Sequence, residues 1–92
     1  MSDWKEFVEP VWNYEVDKEI VGVLVRRIPS QYGSVDFVLS VKDKGDVIVH
    51  GKKVLQTKLR TIIDGTLIKI EHVGKVKGKS NLTYEDFKVY VQ

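Results

Sequence analysis

Three lysines alternate along one short stretch, Lys75, Lys77 and Lys79, and two arginines stand side by side at Arg26 and Arg27. Cations at every second position of an extended chain fall on one side, which suits them to track a phosphate backbone. Tyr32 follows the arginine pair, and Phe37 and His50 supply further flat rings. Rings on which bases stack, beside cations that neutralise phosphates, are the chemistry of single-strand binding. The plainer alternative is that lysine-rich loops only keep a surface solvated.

The other reactive residue types group poorly. Gly74-Lys75-Val76-Lys77-Gly78-Lys79-Ser80 has the letters of a phosphate-binding P-loop with one residue too few, and a short strand, not a helix, is expected after it. His50 and His72 share no metal-ligand spacing, and Asp43 and Asp46 read as turn formers. Lys69-Ile70-Glu71 reverses the order of a nuclease E-x-K element. With no cysteine there is no disulfide and no thiolate for zinc or redox chemistry. The reading is a non-enzymatic protein: no catalytic residue, no metal ligand and no cofactor.

The elements that must position the cations follow from the pattern of the chain. Its 92 residues, 42% of them hydrophobic, have room for one core. The longest apolar run, Ile20–Val25, is far short of the ~20 residues of a membrane span, and the first six residues do not follow the order of a secretory signal. A soluble, cytoplasmic protein without membrane contact is expected. Residues 1–19 carry six acids against two bases, net −4, and the remainder thirteen bases against seven acids, net +6. A cationic body behind an acidic lead-in suits a polyanionic partner.

Residues 1–15 form that lead-in, with Trp4, Phe7, Trp12 and Tyr14, and a domain follows over 16–92. A short helix near Asp3–Val8 is expected before Pro10. Strands are expected at Glu19–Ile28, bent at Gly22, and then from Val35 to Val41, where Phe37 and Leu39 alternate with polar residues. A third follows at Asp46–His50. Leu55, Leu59 and Ile62 at i, i+4 and i+7 predict a helix from Lys52 to about Thr61. Thr66–Val76 and Tyr84–Val91 complete the set around a basic loop, Lys77–Thr83. The order β-β-β-α-β-β predicts an all-β fold: a five-stranded OB-fold barrel with one short helix between strands 3 and 4. Trp12 and Tyr14 would plug its bottom. On such a barrel Val38, Ser40, Ile48 and His50 would face the groove, and the 1–2 and 4–5 loops would flank it.

One further pattern runs from Trp12-x-x-Glu15 and Ile20-x-Gly22-Val23-Leu24-Val25 to Val47-Ile48-Val49-His50-Gly51, Val54-Leu55 and Leu59. It continues through Gly65-Thr66-x-Ile68-x-Ile70-x-x-x-Gly74-Lys75 to Tyr84-x-x-Phe87-x-Val89. Over residues 12–91 this resembles small OB-fold single-stranded-DNA-binding proteins of archaea and phages. The matching positions are mostly core and glycine positions, and His50 stands where such proteins often carry an aromatic. The resemblance implies sequence-tolerant binding of single strands in replication, repair or recombination, without catalysis.

The expected function is therefore binding of single-stranded DNA, or RNA, in an OB-fold groove. Arg26, Arg27, Lys75, Lys77 and Lys79 would hold phosphates; Tyr32, His50 and Phe37 would stack bases, although Phe37 also fits the core. The rival is a protein–protein module that docks through Trp4, Phe7 and Trp12, with the lysines left to solubility.

Overall fold

The structure, a computed structural model, describes residues 10–29 and 33–92. Trp4, Phe7, the expected Asp3–Val8 helix and Tyr32 lie outside the described residues. Five strands and one helix follow in the expected order: β1 (Glu19–Pro29), β2 (Val35–Val41), β3 (Gly45–Val49), α1 (Lys53–Leu59), β4 (Leu67–Lys77) and β5 (Thr83–Val91). The strands form one antiparallel sheet, β3-β2-β1-β4-β5. The protein is thus mostly β. Among the described residues no ladder joins the edge strands β3 and β5.

β1 holds the sheet together because it serves two partners in succession. Glu19–Val23 pair with β4, and Val23–Pro29 pair with β2. The register slips between Leu24 and Arg26, so the irregularity sits at Val25 and not at the expected Gly22. Gly22 has a different task. A Cβ there would lie 2.7 Å from the Ser40 carbonyl oxygen, so glycine lets β1 approach the β2 backbone.

The core is built where the strand alternation and the helix period meet. Ile20 and Leu24 from β1, Phe37 and Leu39 from β2, Val47 and Val49 from β3, Ile68 and Ile70 from β4 and Phe87 from β5 pack with Leu55 and Leu59 of α1. β2 departs from the expected single polar face. Val38 is fully buried, flanked on its own face by Arg26 and Ile48, its register partners. Val38 is therefore packing, not groove surface.

The chain before β1 is also drawn into the fold. The Trp12 N–H donates to the Ile48 carbonyl at 2.8 Å, and the Ile48 N–H donates to Pro10 at 2.8 Å, a short parallel bridge on the outer side of β3. The Trp12 ring is 7% exposed, and its indole N–H donates to the Asp17 carbonyl at 2.8 Å. Trp12 and Tyr14 pack edge-on against one another, Tyr14 meets Phe87 edge-on, and Trp12 meets Phe87 tilted at 57°. A buried Trp12 leaves the proposed docking arm, because its surface and its donor are already used.

α1 is shorter than the period predicts. Thr61-Ile62-Ile63 are β-branched and lose rotamer freedom in a helix, and the carbonyls of Leu59 and Ile62 are taken by a side chain from β1. Among the described residues no helix is long and apolar enough to cross a membrane.

Candidate nucleic-acid interface

The β4–β5 hairpin carries the lysine comb. Glu19 of β1 pairs with Glu71, so β4 runs on from His72 to Lys77 with β5 as its only ladder partner. Lys75 stands opposite Glu85 and Lys77 opposite Thr83, so the two lysines share a face. Lys79 follows in the turn between the strands. All three are exposed, and among the described residues none has a carboxylate within ion-pair distance. Glu85, the nearest acid in register, is turned away: its carboxylate meets His72 Nε2 at 2.5 Å.

That turn has a physical cause. His72 packs between Tyr14 and Phe87, with ring centroids 4.5 and 5.2 Å away, and only 9% of its side chain is exposed. Its Nδ1 has no hydrogen-bond partner. Glu85 therefore supplies the single polar contact of a buried imidazole. The register slips between His72 and Gly74, which shifts the pairing just where the core ends and the hairpin begins.

The second candidate cluster divides. Arg26 pairs in register with Val38 and Arg27 with Phe37, so the adjacent arginines point to opposite faces of the sheet. Arg26 is exposed and lies 3.6 Å from Asp46. Arg27 turns to the α1 side. It donates to the carbonyls of Leu59 (3.0 Å) and Ile62 (2.6 Å), pairs with Asp64, and sets its guanidinium 6.0 Å from the Phe37 ring centre. Arg27 is thus a clamp on the end of α1 and not part of a shared phosphate contact with Arg26.

Phe37 is 2% exposed and belongs to the core, which removes it from base stacking. His50 remains available, with 61% of its side chain exposed and Nδ1 3.6 Å from Asp36. Asp36 is meanwhile anchored by the Gly51 N–H at 2.9 Å. The face of β1, β2 and β3 that bears Arg26 and His50 therefore also carries Asp36 and Asp46, and is close to charge-balanced.

The Arg26–Arg27 pair and the lysine comb lie beyond opposite ends of the β1–β4 ladder. Lys77 lies six residues beyond the Glu19–Glu71 pair, and Pro29 ten residues beyond it in the opposite sense. At ~3.3 Å per residue the path between them along the sheet is about 50 Å. The expectation that both loops flank one groove gives way to cation clusters at opposite ends of the β1–β4 ladder.

The sequence reading passed over a third cationic surface. Lys53, Gln56, Thr57 and Arg60 recur at i, i+3, i+4 and i+7 and line a cleft of about 550 Å³ against Arg27, Val35 and Phe37. The signal was in the sequence, because this stripe is the polar complement of Leu55, Leu59 and Ile62. Among the described residues no three His, Asp or Glu side chains are grouped to hold a metal ion.

Comparison with family models, curated proteins and solved structures finds no match for this chain.

Proposed function

We propose that this protein is a non-enzymatic, OB-type module that binds single-stranded nucleic acid, DNA ahead of RNA, with little sequence preference. The observation that carries the reading is the comb of Lys75, Lys77 and Lys79, exposed on a projecting hairpin with no carboxylate among the described residues paired to any of them. Cations in this state hold counterions that a phosphate backbone displaces, and that release drives binding. The strand order supports the architecture: joining the edge strands β3 and β5 would close the sheet into a five-stranded barrel, with α1 between strands 3 and 4 in sequence. Exposed His50 is a ring able to stack on a base, on the sheet face where Arg26 pairs with Asp46.

The test is fluorescence anisotropy of a labelled strand of ~20 nucleotides at two salt concentrations, with the matching duplex as competitor. Salt-sensitive binding that duplex fails to displace supports the proposal. No binding at low salt, or equal competition by duplex, overturns it.

A further inference from the structure

We infer that the cleft between α1 and the β1–β2 hairpin is a separate site for clustered phosphate charge. The ligand class is a diphosphate or triphosphate group, carried by a free nucleotide or by the phosphorylated end of a strand. The site stands apart from the lysine comb and does not depend on the single-strand reading.

Two cations unpaired among the described residues, Lys53 and Arg60, and the paired Arg27 line the cleft. Lys53 and Arg60 reach it from one face of α1, and Arg27 enters from β1. Among the described residues no carboxylate lines it, although Asp64 pairs with Arg27. Lys53 and Arg60 form no ion pair among the described residues, so their charge is unopposed. Arg27 is held by the Leu59 and Ile62 carbonyls and by Asp64, so its charge is already paired and it forms a fixed wall of the cleft.

The other groups narrow the ligand. Gln56 spends an amide hydrogen on the Gly51 carbonyl at 2.6 Å, and the Thr57 hydroxyl bonds back to the Lys53 carbonyl at 3.0 Å. The cleft therefore offers full positive charge in preference to neutral donors. A single carboxylate would leave one of the two unpaired cations, Lys53 or Arg60, unmatched, whereas a polyphosphate brings several charges on closely spaced oxygens. Phe37 is too buried to stack a base, so recognition falls on the anionic end of the molecule. A volume of about 550 Å³ accommodates a group of that size.

The experiment is a titration of the full-length chain with inorganic pyrophosphate at low salt, followed by amide NMR shifts and calorimetry. Saturable binding that perturbs Lys53, Gln56 and Arg60 is expected, weakened roughly tenfold or more in the double variant Lys53→Ala/Arg60→Ala. Both side chains are exposed, so the variant should keep the parent's circular dichroism. The triple variant Lys75→Ala/Lys77→Ala/Lys79→Ala should bind pyrophosphate within about twofold of the parent, which separates this site from the comb. A second arm compares 5′-phosphorylated with 5′-hydroxyl strands. A preference for the phosphorylated strand that the double variant abolishes assigns the cleft to strand ends; pyrophosphate binding without that preference assigns it to free nucleotides. Failure to saturate, equal binding by parent and double variant, or perturbations confined to residues 75–79 would overturn the inference.

Discussion

The Arg27 guanidinium on β1 donates to the Leu59 carbonyl at 3.0 Å and to the Ile62 carbonyl at 2.6 Å, so a strand side chain ties down the last helical residue and the turn after it. The last carbonyls of a helix lack intrahelical donors, and a fixed arginine satisfies them as a C-terminal cap would. The same bonds explain why a basic residue beside Arg26 does not share its role.

Replacing Arg27 with Ala should therefore act on stability more than on strand binding. Removing donors to two carbonyls, with partial solvent access at the site, should cost about 2 kcal/mol. Arg27→Lys should recover less than half of this, because a single ammonium lacks the fork that reaches both carbonyls. Urea unfolding followed by circular dichroism measures both. A loss below about 0.5 kcal/mol for Arg27→Ala would show that the clamp is dispensable.

Gly51 is fixed by space. A Cβ there would lie 1.6 Å from the Val35 carbonyl oxygen, and the Gly51 N–H is already bonded to Asp36. Gly51→Ala must push the β3–α1 connection away from β2, at an expected cost of about 3 kcal/mol or more. Thermal unfolding of the variant gives the answer. A melting temperature equal to the parent's would contradict the close approach of these two backbones.

Glu85 is predicted to matter to the core rather than to the ligand. Among the described residues its carboxylate is the only hydrogen-bond partner of the His72 ring. Glu85→Ala leaves both ring nitrogens unpaired against Tyr14 and Phe87, which should cost about 1–3 kcal/mol. His72→Phe in the same background should regain part of it, by replacing an unsatisfied polar ring with an apolar one. Denaturant midpoints of the single and double variants test the coupling, and additive losses would dismiss it.

The lysine comb carries a quantitative expectation. Each phosphate neutralised on a single strand contributes about −0.7 to the slope of log K against log salt. Lys77→Ala/Lys79→Ala should weaken binding at low salt and flatten that slope by about 1.4, similarly for strands of different sequence. Anisotropy titrations across a salt series supply the slope. An unchanged slope would place the ligand elsewhere.

His50 is the base-stacking test. Stacking of a base on a ring contributes about 1–3 kcal/mol on alanine replacement. His50→Ala should weaken strand binding accordingly with little change in salt slope, and His50→Tyr should restore or strengthen it. Equal affinities for all three proteins would leave the strand without a ring at this position.

The sequence by itself determined the order of the elements, because that order rests on local signals. Alternation in Val35–Val41 and in Tyr84–Val91 marks strands, the i, i+4, i+7 spacing of Leu55, Leu59 and Ile62 marks the helix, and the observed bounds differ by only a few residues. It also located the lysine comb, since side chains two apart on a strand share a face wherever that strand packs. Register decided the rest. A bulge at Val25, not at Gly22, fixes which arginine faces which side, and no local pattern reports where a ladder slips. Burial of Phe37 and Val38 on opposite faces of β2 depends on what covers each face, which is a property of distant segments. The antiparallel pairing of Glu19 with Glu71 sends the two cationic hairpins to opposite ends of the ladder. The α1 cleft brings Arg27 of β1 to the end of the helix, where it meets Leu59 across 32 residues of chain. Long-range pairing placed every one of these groups, and a one-residue change in register would have moved each to the other face.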